Sequence, residues 1–212
     1  MKVIATNISE PKTISYRGKD VKTGIFKYPT SEPLYLGTED VRKDTVIDRK
    51  HHGGEHKACY LFSADYYSYW QLLYPDLDWN WGMFGENLTV LGLDENLINI
   101  GDIYKIGTSI VQISEPREPC FKLGVKFESQ TILKKFIAHG HCGTYVRILE
   151  EGEVTVNDRL ELIKKSDNAL TIAAYFKMLY AVKKDKNIMR LAIDNKALAH
   201  SKRDKWRHLL GN

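Results

Sequence analysis

Cysteine is scarce in this sequence, with three residues among 212: Cys59, Cys120 and Cys142. An odd, sparse set argues against a disulfide framework and leaves room for a reactive or metal-binding thiol. A long apolar run is also missing, and residues 1–7 turn polar too soon for a signal peptide. We therefore expect a cytoplasmic protein that has no membrane partner.

The signatures of several enzyme and binding classes are also missing. The sequence contains no Walker loop, no nucleophile elbow and no GxGxxG segment, which argues against the classes built on them. Its net charge of +4 is modest, and no basic run is interleaved with aromatic residues, so we expect no nucleic-acid partner. The small positive excess instead favours an anionic small ligand.

Short segments rich in β-branched and aromatic residues occupy most of the chain up to about residue 163. Clusters of Gly, Pro, Asp and Asn separate them, a spacing typical of a β-barrel or a β-sandwich. The predicted strands are residues 3–8, 21–27, 58–62, 87–91, 110–114, 145–149 and 160–163. Apolar residues at helical spacing predict two helices between them, at residues 64–74 and 130–138.

Three further helices are predicted after residue 165, at residues 168–182, 187–193 and 201–210. Their apolar positions, such as Phe176 and Trp206, are too few for a core of their own, so they should pack on the barrel or on a partner protein. The predicted fold is therefore mainly β, with a barrel-like domain over residues 1–165 and a small three-helix subdomain over residues 166–212.

The segment from residue 48 to residue 57 contains two adjacent glycines, Gly53 and Gly54, between Arg49 and Lys57. Glycine leaves backbone N–H groups open to close approach, and the flanking cations can pair with phosphate. This pattern is consistent with an anion-binding loop. It is equally consistent with a glycine turn between two strands, and the residues alone leave both interpretations open.

A second segment, SEPREPC at residues 114–120, directly follows a strongly predicted strand. Pro116 and Pro119 each fix φ, so the loop presents Arg117 and Cys120 from a stiff element. An arginine stabilises a nearby thiolate, which is a good nucleophile and a good ligand for a soft metal. The alternative is that Cys120 is a small buried apolar residue, which is the commonest use of cysteine.

The histidines could suggest zinc, but their spacing does not support it. His52 and His56 stand four residues apart, yet the glycine pair between them disfavours the helix that such a pair of ligands needs. The HGHC segment at residues 139–142 lacks a partner pair at the spacing of structural zinc sites. We therefore expect no zinc site.

Several of these segments occur together, in order, in one known family. They are TGI at residues 23–25 with Lys27, HGG at 52–54, KA at 57–58, GENLT at 85–89, GD at 101–102 and PREPC at 116–120. With Asp44 and Asp48 before the HGG segment, the chain resembles the MOSC family, named after the C-terminal domain of molybdenum cofactor sulfurases. Trp70, the run from Gly143 to Arg147 and the three terminal helices resemble the bacterial subgroup with a "3-alpha" extension.

The resemblance, which covers nearly the whole chain, implies a β-barrel that binds the pterin–dithiolene molybdenum cofactor. Cys120 would be the protein ligand to molybdenum and the catalytic residue. The resemblance also implies a set of cofactor-binding residues: Thr23, Lys27, Arg49, His52, Gly53, Gly54, Lys57 and Arg117, with Glu86, Asn87 and Arg147 as further candidates. Two places depart from the family pattern, at residues 43–46 and at His56, so we expect the polar network around the pterin to differ there.

The implied activity is reduction of N-hydroxylated compounds, such as hydroxylaminopurines and amidoximes. Because the sequence has no flavin, haem or iron–sulfur signature, electrons would come from an external donor protein. One alternative is a carrier or sulfur-transfer protein without turnover, and another is a phosphate or pyridoxal-phosphate binding module. The terminal helices could dock the donor or only stabilise the barrel, and a homodimer is left open.

Overall fold

The computed structural model describes residues 1–49 and 53–211 of the chain. Its strands, in chain order, are β1 (Lys2–Ile8), β2 (Lys12–Tyr16), β3 (Lys19–Thr23), β4 (Tyr28–Thr30), β5 (Leu34–Leu36), β6 (Cys59–Ser63), β7 (Leu88–Leu91), β8 (Ile103–Ile106), β9 (Ser109–Pro116), β10 (Thr144–Glu150), β11 (Gly152–Val154) and β12 (Leu160–Lys164). The α-helices are α1 (Tyr67–Leu73), α2 (Phe121–Lys126), α3 (Ile132–His139), α4 (Ile172–Tyr180), α5 (Lys186–Asp194) and α6 (His200–Gly211). Short 3₁₀ turns cover Glu55–Lys57 and Ala64–Tyr66.

One mixed sheet of eight strands forms the body of the fold, in the order β12-β8-β9-β10-β6-β7-β1-β4. Only the β6–β7 pair within it is parallel. The start of β1 also bonds to the residues before β12, since the Val3 N–H donates to the Asp158 carbonyl at 2.9 Å. The Leu160 N–H of β12 likewise donates to the Met1 carbonyl at 3.0 Å, but no continuous ladder joins β12 to β1 among the described residues. The sheet-rich class is therefore confirmed and the closed barrel is not.

The core lies on the sheet beneath α1 and α3. Every residue of β6 is buried, as expected for a continuous apolar strand that is covered on both faces. Phe62 of this strand stacks on Phe84 with ring centroids 4.0 Å apart, and Trp70 of α1 is fully buried beside them. The predicted strands and helices of this region are therefore present, with shifted ends.

The three terminal helices pack on the same core, as the sequence predicted. Phe176 is 1% exposed and joins one continuous apolar cluster with the sheet residues. The backbone also crosses the junction, because the Ile100 N–H donates to the Leu170 carbonyl at 2.9 Å and the Ile172 N–H to the Ile98 carbonyl at 3.1 Å. A domain boundary after residue 165 stays a prediction.

Several short elements were not predicted: β2, β4, β5, β8, β11 and α2. The hairpin of β2 and β3 is rich in lysine and mostly exposed, so it lacks the apolar alternation that marks a strand. Its turn is formed by Arg17 and Gly18, which both have positive φ, at 51° and 74°. This is the backbone of a tight hairpin turn. Because Thr23 pairs with Lys12, the first residue of β2, β3 ends there, short of the predicted residue 27.

Candidate functional site

A cavity of about 80 Å³ lies where the loop after β3, the segment 44–48, the start of β6 and the end of β9 meet. A wider outer cavity of about 400 Å³ adjoins it, and Lys57, Cys120, Lys122 and Tyr145 line both. The residues that line the inner cavity include a group predicted from the sequence as site residues: Thr23, Lys27, Lys57, Asn87, Arg117 and Cys120.

Cys120 lines both cavities from the junction between β9 and α2. Its backbone is extended, with φ −127° and ψ 170°, and α2 begins at the next residue. The side chain is half-buried, whereas Cys59 and Cys142 are fully buried. Burial raises the pKa of both buried thiols, which keeps them protonated and chemically inert. Among the three cysteines, Cys120 is the one that meets solvent and the cavity.

Arg117 is a buried cation at the wall of the inner cavity. It is 4% exposed, and its guanidinium lies 5.6 Å from the ring centres of Tyr60 and Phe136. Within the described part of the chain it forms no ion pair, and its buried Nη1 has no hydrogen-bond partner. Because a guanidinium stays charged, burying it costs free energy unless an anion lies beside it. The residue therefore suits an anionic ligand.

A polar network forms the floor of the cavity around Asp44. Its carboxylate pairs with Lys27, accepts a bond from the Asn87 side-chain amide at 2.8 Å, and accepts the Ser9 N–H at 3.0 Å. The approach of the chain segments requires Gly24, since a Cβ there would lie 2.0 Å from the Thr45 carbonyl oxygen. This network fixes Lys27 and Asn87 at the cavity.

Buried Glu115 connects the glycine segment (residues 48–57) with the Cys120 loop (residues 114–120). One of its oxygens lies 3.3 Å from Lys57 Nζ, and the other lies 2.7 Å from Nζ of Lys202 on α6. Nζ of Lys122, two residues after Cys120, lies 3.8 Å from Oδ2 of Asp48. The site is thus rich in cations that are held in place by carboxylates.

Other predicted site residues are not among the described residues that line the cavity. Arg49 is exposed and pairs with Asp40 at 2.7 Å and with Glu39 at 3.1 Å. Gly53 and Gly54 also lie outside the lining. His52 falls outside the described residues. A cofactor-binding role for these residues stays a prediction.

Two other predicted cofactor-binding residues, Glu86 and Arg147, make contacts within the protein, and their role toward a cofactor stays a prediction. Glu86 is fully buried, bonds to the Tyr67 hydroxyl and accepts the Gly82 N–H at 2.9 Å, so it braces the turn before β7. Arg147 bonds to the side chain of Gln112 on the neighbouring strand. Neither side chain lines the cavity.

Sequence reasoning missed four residues of the site: Tyr60, Lys122, Tyr145 and Lys202. Tyr60 and Tyr145 are buried among other core residues in their strands, so their sequence context gives no sign of a ligand site. Burial raises the pKa of Tyr145 to about 12, so its hydroxyl keeps its proton at neutral pH. Lys202 carries no local signal at all, because its partners are far away in the sequence.

The expectation of no zinc site rested on the spacing of histidine and cysteine. Such spacing does not reveal carboxylates that lie near a histidine only in the folded chain. Asp94, Glu95 and His141 each place one potential ligand atom within 4.8 Å of the others. His141 Nδ1 lies 2.8 Å from a carboxylate oxygen of fully buried Glu95, whose second oxygen accepts the Gly143 N–H. These contacts tie α3 to the loop after β7 in the described structure.

No helix in the described ranges has the length and apolar character that crossing a membrane requires.

Comparison with known proteins places this architecture among relatives. The family model of the MOSC domain matches residues 48–161. The uncharacterised protein YflK of Bacillus subtilis is 34% identical over 205 residues, which cover 97% of this chain and 90% of YflK. A protein named "Reductase" from Gibberella moniliformis is 32% identical over 152 residues, 70% of this chain but 27% of that protein. The crystal structure of YiiM from Geobacillus stearothermophilus superposes with a TM-score of 0.82 at 31% identity, covering 99% of this chain and 98% of YiiM.

Proposed function

The chain belongs to the MOSC domain family, and we propose that it is an oxidoreductase that holds a molybdenum cofactor in the cavity beside Cys120. One observation carries the proposal. A half-buried thiol and a buried guanidinium without an ion-pair partner among the described residues line the same cavity. The name of the fungal relative, a reductase, supports the reaction class.

The donor set of the cavity fits the two chemical ends of such a cofactor. Sulfur is the ligand that a soft metal prefers, and Cys120 supplies it. Arg117, with its unpartnered Nη1, and Lys27 in the cavity wall would hold the anionic phosphate and the polar edge of the pterin, since guanidinium and ammonium groups bind such oxygens well. When bound, the cofactor supplies two-electron redox chemistry at its metal.

The proposed substrates are N-hydroxylated compounds, such as hydroxylaminopurines and amidoximes. Reduction of an N–OH group consumes two electrons and two protons, breaks the N–O bond and releases water. The outer cavity, at about 400 Å³, is of the size that small-molecule sites have. Tyr145 and Lys122 line both cavities and can donate hydrogen bonds or protons to a substrate there. An external protein would deliver the electrons.

The test uses protein purified from a host that makes the cofactor. Molybdenum per chain is measured by elemental analysis, and reduction of benzamidoxime is followed with a reduced viologen dye as electron donor. The parent should contain molybdenum and turn over. Cys120→Ala should lose at least 90% of both while melting like the parent, and the matched variant Cys142→Ala should keep its molybdenum.

Each other outcome has a definite meaning. Molybdenum without turnover would make the chain a carrier or a sulfur-transfer protein. Phosphate or pyridoxal phosphate in place of molybdenum would leave a simple anion-binding module. Equal activity in Cys120→Ala and the parent would remove the thiol from the site.

A further inference from the structure

Lys202 connects the C-terminal helix α6 to the loop that carries Cys120. Its Nζ lies 2.7 Å from an oxygen of Glu115 and 3.1 Å from an oxygen of Glu118. The lysine side chain is 23% exposed and that of Glu115 only 2%, so the first contact is largely shielded from water. A shielded ion pair of this kind is screened less by salt and orders its partners more than one at the surface.

The helix holds this lysine in a fixed place. Trp206, one turn further along α6, is 1% exposed, and its indole N–H donates to the Tyr175 hydroxyl at 2.9 Å. Burial alone would lower the pKa of Lys202, but the carboxylates of Glu115 and Glu118 outweigh it and raise that pKa. Lys202 is therefore a permanent, positioned cation.

The charges around the Cys120 loop show what this cation does. Glu115 and Glu118 stand on either side of Arg117 in the sequence. Glu115 is paired with Lys57 and Lys202, Glu118 is paired with Lys202, and Arg117 is left with no carboxylate partner among the described residues. Three cations, Lys57, Arg117 and Lys202, thus face the carboxylates of Glu115 and Glu118. Together these five side chains carry a net charge of +1. Without Lys202 their net charge would be zero.

We propose that Lys202 is a positioning residue of the cavity: by engaging Glu115 and Glu118, it leaves Arg117 to bind an anion and keeps the surroundings of Cys120 positive. The C-terminal helix thereby completes the site that the MOSC domain contributes. The identity of the anion rests on the proposed function, whereas the electrostatic effect on Cys120 does not depend on it.

The first experiment measures this effect in the full-length, cofactor-free chain, made in a host that cannot synthesise the cofactor. Cys120 is alkylated with anionic iodoacetate and with neutral iodoacetamide, and both rates are followed by peptide mass spectrometry. Loss of one nearby positive charge in Lys202→Met should lower the iodoacetate-to-iodoacetamide rate ratio about threefold. Lys202→Arg, which keeps the charge, and Lys205→Met, an exposed lysine of the same helix, should retain the parent ratio.

The second experiment measures molybdenum per chain in the same variants from a cofactor-competent host. Lys202→Met should hold less than half of the parent content, and Lys202→Arg should restore it. Where Lys202→Met does not fold, Lys202→Gln takes its place. The proposal is overturned if the rate ratio does not change. This includes the case in which both alkylation rates rise equally because the loop has loosened, since Lys202 would then only stabilise the structure. If the parent itself holds no molybdenum, the proposed function fails, and the rate ratio still decides the role of Lys202.

Discussion

The carboxylate of Asp44 accepts a 2.8 Å hydrogen bond from the side-chain amide of Asn87. This bond joins the segment before the glycine pair to the residue that precedes β7, across 43 positions of sequence. The same carboxylate pairs with Lys27, whose side chain is 7% exposed. One acidic residue therefore determines where two polar residues of the cavity lie.

Replacing this carboxylate should destabilise the protein strongly. Asp44→Asn would leave the ammonium of Lys27 buried without its counter-charge, a change that typically costs about 3–5 kcal/mol. Urea denaturation of parent and variant measures this free energy of unfolding. The matched control is Glu32→Gln, because its pair with Lys43 is about 70% exposed and should contribute less than about 1 kcal/mol. A loss in Asp44→Asn no larger than in the control would mean that Lys27 can reach water.

Local sequence predicted the parts of the site that are local. The Cys120 loop follows from its two prolines and the preceding strand, and the structure brings Arg117 and Cys120 to one cavity. Arg49 shows the limit of such reasoning. Its place four residues before the glycine pair suggested a cation at the cavity, whereas its guanidinium pairs with Asp40 and Glu39 at the surface. The choice between two carboxylates and a cavity depends on the fold, and spacing does not reveal it.

Arg117 should favour ligand binding at the expense of stability. A cation without a counter-charge is costly to bury, so Arg117→Met should raise the free energy of unfolding of the cofactor-free protein by about 1–3 kcal/mol. The same variant should retain less than a tenth of the parent molybdenum. Arg207→Met, on an exposed arginine of α6, is the control for both measurements. Lower stability in Arg117→Met would show that its contacts with Tyr60 and Phe136 dominate.

Lys126 should make stability depend on pH above neutrality. Burial lowers the pKa of this lysine to about 7, and its ammonium donates to the carbonyls of Ile25 and Gly82. An unfolded lysine holds its proton up to about pH 10.4. Between these values the unfolded state binds more protons, so stability rises with pH, by at most about 1.4 kcal/mol per unit. Below pH 7 the full cost of burying the lysine remains.

Lys126→Met should remove this slope. Urea denaturation at pH 7, 8.5 and 10 gives the stability of each protein, and the difference between variant and parent should shift in favour of the parent as pH rises. Lys134→Met, on an exposed position of α3, should follow the parent at every pH. Parallel curves for Lys126→Met and the parent would mean that Lys126 is charged in the folded protein throughout this range.

The terminal helices were the least predictable part of the molecule. Composition indicated that they could not bury a core alone, but it could not distinguish a docking surface for an electron donor from a cover for the sheet. The contacts that distinguish them are long-range, such as the bond from the Asn195 side-chain amide to the Ile100 carbonyl at 2.9 Å. Amphipathic spacing gives the face of a helix, whereas its partner depends on the whole fold.

Truncation after Lys165 should therefore unfold or precipitate the protein. The cut removes Leu170, Ile172 and Phe176 from the common core and leaves the backbone of Ile98 and Ile100 without its partners. A milder variant tests the same packing in the full chain: Phe176→Ala should cost about 3–5 kcal/mol in urea denaturation, since the ring is fully buried. Leu209→Ala, at a position 52% exposed, should cost far less. A truncated chain that melts cooperatively and keeps its molybdenum would contradict this expectation, and it would make the helices a candidate docking surface for the electron donor.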